Sequence, residues 1–493
     1  MNCKKTFLFL FGCLITLWAT AADSFSIANT LQPNMVVQQG KPLVIWGKAP
    51  AGAKLQIRCS WQQKEKETFA DASGNWRTEV QVPMAVPHSF TPNSIAVKSG
   101  SETKTLSNIL IGDVWLCGGQ SNMDMELKPF LPWLLGTDHY RMEIENAAYP
   151  QIRFFNVRTD FKANQQEDCG GTWMVCSPQT APMLSAVAYF FARQVFLKKG
   201  IPIGLVVSSV GGSSAQAWVS RDTLTADKVL QQKYLYAYDT SARAKEVLDS
   251  TVTFEKVVRP TLFYNAMIYP LRHLRFTGAL WYQGESNRHD SAMYTRLNAA
   301  LIRNWRNLFN HAQMPFYYVQ VAPFNWGIKD TTLYDYAVFR EAQAKVKEVV
   351  PHTGMVVTMD IADPTDIHPR NKQDVGYRLA KMALANVYGE TNTVYTGPEY
   401  ASHRVEGETL KILFKNTGSG LVTNDGQPPR HFYIAGADGV FHYAQATIEK
   451  NEVWLRSEKV KTPLAVRYAF TNYPVTNLEN AEGFPAVPFR SHQ

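Results

Sequence analysis

The sequence predicts an α/β fold, with a central parallel sheet, helices on both of its faces and small β domains flanking it. Three observations carry this expectation. Strand and helix patterns alternate between about residues 106 and 392. Short β-rich runs separated by turn signals fill 22–105. A second β rhythm returns over 393–493.

The chain opens with Lys4 and Lys5, followed by an almost wholly apolar run from Thr6 to Thr20. Ala19-Thr20-Ala21 fits the small-residue cleavage pattern, so residues 1–21 read as a signal peptide cleaved after Ala21. The run is shorter than the roughly 20 residues a spanning helix needs. Leu10, Gly12 and Cys13 loosely match a lipid-anchor pattern, which Phe11 suits poorly. Export to a periplasmic or extracellular space is expected.

In 22–105, Met35-Val36-Val37, Leu43 to Trp46, Leu55 to Arg58 and Trp76 to Val82 are short β-rich runs. Gly40-Lys41-Pro42, Pro50-Ala51-Gly52 and Ser73-Gly74-Asn75 separate them, a spacing that suggests a small sandwich. The central region starts with a strand, Ile111 to Cys117. A helix with apolar positions Val187, Phe190, Phe191 and Val195 ends at Gly200, and the strand Ile203 to Val207 follows. The strand Gly278 to Tyr282 precedes a helix over about 293–308, the strand Phe316 to Val321, a helix over about 335–349 and the strand Met355 to Met359. The last helix starts near Asn371 and stops before Gly389. Residues 221–258 are charged, lack strand signals and read as a helical excursion. Leu410 to Phe414, Phe432 to Ile434, Val453 to Leu455 and Ala465 to Phe470 are the strands of the C-terminal β domain.

Composition narrows the function classes. The hydrophobic fraction of 45% suits a globular chain with a real core. The net charge of +8 comes from scattered Lys and Arg, so no nucleic-acid partner is indicated. Past the signal, Cys59, Cys117, Cys169 and Cys176 remain. Cys169 and Cys176 are close enough in sequence to close a small loop in an oxidising compartment. No cysteine pair has zinc-ligand spacing with histidines, so neither a metal nor a cofactor is expected.

Ligands in open parallel sheets bind outside the carboxyl ends of the strands. Four unusual blocks fall there. Gly118-Gly119-Gln120-Ser121-Asn122-Met123 offers a nucleophile, Ser121, whose own N–H points toward a developing oxyanion; the alternative for Ser121 is a helix N-cap. Gly211-Gly212-Ser213-Ser214 brings the Gly212 N–H close to a ligand. Gln283-Gly284-Glu285-Ser286-Asn287 adds the Asn287 amide as a further oxyanion donor, or as a turn cap. Asp363-Pro364-Thr365-Asp366-Ile367-His368-Pro369 supplies a base, His368, which is otherwise one surface histidine among 11. Asp366 and Asp363 are both candidates for the acid that orients it.

This set of blocks resembles the SGNH hydrolase superfamily, whose sheet is flavodoxin-like. The longer wording is similar to one branch, the sialate O-acetylesterases. Gly112-Asp113-Val114-Trp115, Ala217-Trp218, Trp281-Tyr282, Arg340-Glu341-Ala342-Gln343, Ile367-His368-Pro369-Arg370, Asn34 to Gln38 and Phe484 to Arg490 extend the match over nearly the whole mature chain. The resemblance implies a serine carboxylic ester hydrolase that removes O-acetyl groups from sialic acid. Ser121 would be the nucleophile, His368 the base, and the Ser121 backbone, Gly212 and Asn287 the oxyanion hole. There are two departures. The superfamily's acid usually lies three residues before the histidine, where this chain has Thr365; Asp366 is taken as the catalytic acid, with Asp363 or a Ser–His dyad as alternatives. Gln216 stands where the branch leads one to expect Glu.

Gln283, Glu285 and Arg370 are the candidate substrate contacts, Arg370 because a guanidinium would bind a sugar carboxylate. Acetylated xylan or another plant polysaccharide is the rival substrate. A non-catalytic glycan-binding protein or a serine peptidase fits the four blocks less well.

Overall fold

The computed structural model describes residues 25–327 and 333–492. The apolar run from Thr6 to Thr20, the cleavage site after Ala21 and Cys13 lie outside the described residues. Among those described, no helix is long and apolar enough to cross a membrane.

The molecule is mixed α/β, built on a large mixed sheet with additional β sheets at both ends of the chain. The sheet's central strands are β1 (Glu102–Gly119), β2 (Tyr149–Val157), β3 (Gly171–Cys176), β4 (Ile203–Ser209), β5 (Gly278–Tyr282), β6 (Phe316–Val319) and β7 (Thr353–Val356). Their spatial order is β3-β2-β4-β1-β5-β6-β7. All neighbours run parallel except β3, which pairs antiparallel with β2 at the edge. Register aligns the strand ends that matter: Ser209 and Tyr282 both sit opposite Gly119.

Successive side chains of a strand point to opposite faces, so each central strand feeds two cores. Trp115, Cys117, Leu205, Val207 and Leu280 pack on one face; Leu116, Val206, Ala279 and Trp281 pack on the other. Five helices frame these faces and the site: α1 (Ser121–Asp124), α2 (Ala186–Lys199), α3 (Met293–Leu308), α4 (Asp335–Ala344) and α5 (Lys372–Asn386). Side chains of α2 and α5 fill the first core, and those of α3 and α4 the second. The Ser185 hydroxyl caps α2 by accepting from Ala188 N, and Gly200 at φ 64° ends it in the left-handed conformation. Asn371 caps α5 by accepting from Asp374 N. A Cβ on Gly376 of α5 would collide with Phe190 of α2, so the glycine sets how closely the two helices approach.

Several details depart from the sequence expectation. The first central strand is 18 residues long, and its N-terminal half pairs with Val36–Gln38 and Asn93–Ser99. One continuous strand therefore passes through the expected division at 105/106. The expected helix over 335–349 is interrupted after Ala344, with a separate turn at Val346–Val349. The excursion 221–258 consists of short helical turns, among them Arg221–Ala226, Gln231–Tyr236 and Phe254–Val257. The small loop between Cys169 and Cys176 is not closed by a disulfide, and all four described cysteines are free and buried. Extended strand β3 separates the pair. Five steps at roughly 3.3 Å already span about 16 Å, far beyond the ~7 Å limit between bridged Cα atoms.

C-terminal to α5, Glu399–Glu406, Thr409–Lys415, Gln445–Glu449 and Glu452–Arg456 form one antiparallel sheet. Arg340 and Glu341 of α4 hold this region to the core. Arg340, fully buried, donates to the Thr471 and Asn472 carbonyls, and Arg490 forms a paired contact with Glu341 at 2.9 and 3.0 Å.

Candidate active site

The loops after β1, β4 and β5 leave the same edge of the sheet. Gly119 adopts a positive φ of 145°, and a Cβ there would collide with the Tyr282 carbonyl; only glycine lets β1 turn this tightly against β5. The turn delivers Ser121 as the first residue of α1. The N-cap position falls to Gln120, so the Ser121 hydroxyl is not used as a cap.

Ser121 Oγ lies 2.8 Å from His368 Nε2. No described residue accepts from the backbone N–H of Ser121 or of Gly212. Gly212 is left-handed at φ 73°, and the Gly211 Cα lies beside the Ser121 Cβ. The Phe254 ring edge packs against Gly212 although the ring is 77% exposed, which puts the excursion at the rim of the site.

His368 is largely buried, and burial together with the nearby Lys372 ammonium brings its pKa down to about 4. The imidazole is therefore neutral at pH 7, the form that accepts a proton. Asp366 Oδ1 accepts from the His368 backbone N–H at 2.8 Å, but lies 3.7 Å from Nδ1, too far for a hydrogen bond. The Asp363 carboxylate turns away and accepts from Thr365 N and Thr365 Oγ1.

Asn287 is held on all sides. Its Oδ1 accepts from Ala215 N and Gln283 Nε2, both at 2.8 Å. Its Nδ2 donates to Gln216 Oε1 at 3.0 Å and to Asp290 Oδ2 at 2.8 Å. Gln216 also donates to the Val258 carbonyl, so it braces Asn287 and ties the excursion down.

Two of the expected substrate contacts are internal braces. Gln283 is fully buried, with Nε2 facing Gln120 Oε1, the Ser213 carbonyl and Asn287, and Oε1 accepting from Tyr294 OH. Glu285 is 3% exposed and its Oε1 accepts from Asn122 Nδ2 at 2.6 Å. Neither presents a polar atom to a ligand, because the turn after β5 folds both inward over β1. The third, Arg370, is exposed; it donates to the Gly136 carbonyl at 3.3 Å and lies 3.4 Å from Asp138.

The sequence argument did not identify Gln120, Asn122 or Lys372 as functional. Gln120 Oε1 orders the turn after β5 by accepting from Gly284 N and Ser286 N. Asn122 donates to the Ile367 carbonyl and so reaches the histidine loop. Both flank Ser121, and that adjacency was the available signal. Lys372 had none: a lysine at a helix start looks solvated until the fold buries it. Among the described residues, no cluster of His, Cys, Asp and Glu could hold a metal.

Residues 111–385 match the carbohydrate esterase family described as sialic acid-specific acetylesterase. The chain belongs to this family. It is accordingly a carboxylic ester hydrolase, and the match spans the loops that carry Ser121, Gly212, Asn287 and His368. Sialate O-acetylesterase of Rattus norvegicus is 30% identical to the esterase, across 77% of this chain and 76% of the rat protein. The Homo sapiens sialate O-acetylesterase is likewise 30% identical, across 78% of this chain and 75% of the human one. A solved carbohydrate acetylesterase from Xanthomonas citri superposes with a TM-score of 0.82 at 33% identity, covering 95% of this esterase and 99% of that chain.

Proposed function

We propose that the esterase removes O-acetyl groups from sialic acid, with Ser121 as nucleophile, His368 as general base and Asp366 as the supporting carboxylate. The observation that carries this reading is the 2.8 Å approach of Ser121 Oγ to Nε2 of His368, whose largely buried imidazole is neutral at pH 7. His368 takes the Ser121 proton as Oγ attacks the acetyl carbonyl carbon. The carbonyl oxygen becomes the oxyanion of a tetrahedral intermediate and meets the free N–H groups of Ser121 and Gly212. Asn287 joins them by exchanging Gln216 Oε1 for the oxyanion. Collapse breaks the bond to the sugar oxygen, which leaves with the proton from His368. Water then gives a proton to His368 and its oxygen to the acetyl-enzyme; acetate departs and Ser121 regains its hydrogen.

With β2 and β3 set aside, the strands in spatial order β4-β1-β5-β6-β7 read 2-1-3-4-5 by chain order, an order that supports the flavodoxin-like, SGNH-hydrolase reading of the sheet. The Ser121 and Asn287 loops leave β1 and β5, the pair at which that arrangement places its ligand crevice. We read 22–105, 106–392 and 393–493 as the three regions of an exported chain, the first two joined through the continuous strand β1.

The test is acetate release from 9-O-acetylated sialic acid, acetylated xylan and an aryl acetate, with Ser121→Ala alongside. The sialic acid substrate should be cleaved and the alanine variant should be inactive. Release from xylan without release from sialic acid overturns the substrate; equal rates with and without the Ser121 hydroxyl overturn the nucleophile.

A further inference from the structure

Sialic acid carries a carboxylate on its ring, and of the described cations that flank His368, Lys372 is buried and engaged by Asn122 and the Pro369 carbonyl. Arg370 is a poor receiver. It faces Asp138, and the open cleft of about 600 Å3 that it lines also contains Asp363 and Asp366. A carboxylate there would meet three others and one guanidinium.

Arg288 is placed differently. It follows Asn287 in the turn Glu285–Asp290, half-buried, with its guanidinium carbon 3.8 Å from the centroid of the Trp326 ring. It forms no ion pair among the described residues. Of the described acids in this turn, Asp290 is engaged by Lys233 at 2.8 Å, by Tyr234 OH and by Asn287, and Glu285 is buried with its Oε1 on Asn122. Among the described residues no carboxylate compensates the guanidinium, which lies over the indole face.

Its location follows from two contacts. On one side Ser286 Oγ donates to the Gly212 carbonyl at 2.8 Å, tying the turn to the glycine loop. On the other, Asn325 N, beside Trp326, donates to the Pro364 carbonyl at 2.8 Å, four positions before His368. Arg288 and Trp326 thus bridge the glycine loop and the histidine loop, the two walls between which Ser121 lies. A planar fork of N–H donors held flat on an indole suits a carboxylate bound through both oxygens.

We propose that Arg288, stacked on Trp326, is the residue of this esterase that binds the substrate carboxylate and so selects acidic sugars. The proposal rests on the sialate reading of the Ser121 site. The test compares the wild type with Arg288→Gln on O-acetylated sialic acid and on the methyl ester of the same sugar, which lacks the charge. Aryl acetate hydrolysis reports that the variant is folded. Loss of a charge-assisted pair should raise KM for the free acid about 10- to 100-fold in the variant, with a much smaller change in kcat. The wild type should lose the same factor on the methyl ester, and Arg288→Gln should not distinguish acid from ester. A wild type indifferent to esterification, or a variant that keeps the preference for the acid, overturns the assignment. A wild type that cleaves aryl acetate but neither sialic acid form overturns the sialate reading itself, and Arg288 with it.

Discussion

Lys372 Nζ donates a 2.6 Å hydrogen bond to Asn122 Oδ1, joining the first residue of α5 to the residue after Ser121, the proposed nucleophile. Both are fully buried. Lys372 also donates to the Pro369 carbonyl at 2.6 Å, while Asn122 donates to Glu285 and to the Ile367 carbonyl. His368 is thus held from both flanking peptides by one polar cluster that also fixes Ser121 and the turn after β5. Burial pushes the Lys372 ammonium down to about 7 and the Glu285 carboxyl upward, and their opposite charges offset part of that.

The cluster makes a stability prediction. Lys372→Met leaves Glu285 buried without its cation, which should cost about 3–5 kcal/mol in denaturant unfolding. Pairing it with Glu285→Gln should recover a good part of the loss. A single variant as stable as the wild type would show that the cluster holds no charge.

The pH profile follows from His368. As the proposed base, His368 works only when unprotonated, and its pKa is brought down to about 4 by burial first and Lys372 second. The acid limb of kcat/KM should therefore fall near pH 4, well below the ~6.5 of a free imidazole. The same shift has a stability sign. The unfolded histidine takes up a proton below about 6.5 and the folded one does not, so the His368 contribution is complete above that pH and is lost as pH falls toward 4. A kinetic acid limb at 6.5 would contradict a buried base.

The geometry ranks the acids. Asp366 Oδ1 bonds the His368 backbone but stands 3.7 Å from Nδ1, so it acts by charge and by shaping the loop. Asp366→Asn should lose about 10- to 100-fold in kcat, short of the ~10,000-fold expected when a triad acid bonded to the imidazole is replaced. Asp363→Asn should change kcat less than threefold, since its carboxylate serves only Thr365. Steady-state rates on an aryl acetate decide both.

Asn287 offers a cleaner test than its alanine variant. Asn287→Asp keeps an acceptor for Ala215 N and Gln283 Nε2 and removes the donor, but sets a carboxylate against Asp290 Oδ2, so it is paired with Asp290→Asn. A fall of about 100- to 1,000-fold in kcat in the double variant, with Asp290→Asn alone active, fits a lost oxyanion donor. An unchanged kcat would leave the hole to the Ser121 and Gly212 backbones.

Much of this layout was legible without coordinates. Strand–helix alternation marked β1, β4 and β5, because a buried parallel strand needs a run of apolar residues and a glycine-rich exit. Gly200 and Asn371 marked the end of α2 and the start of α5, because left-handed glycines and capping side chains act on their own turn. Ser121, Gly212, Asn287 and His368 are proposed by the same local rule, each in a loop after a strand.

Tertiary structure decided what each of those residues touches. Gln283 and Glu285 read as substrate contacts because polar residues at a strand end usually face solvent; the turn over β1 buries both. Lys372 meets Asn122 across 250 positions of sequence, and Asn122 meets Glu285 across 163. Cys169 and Cys176, close in sequence, are held apart by an extended strand. By itself the sequence determined which residues reach the carboxyl edge of the sheet, since turns and caps are written locally. Only the packed fold determined which are buried, which are paired and which, like Arg288, meet no carboxylate among the described residues, because those depend on neighbours brought together from distant parts of the chain.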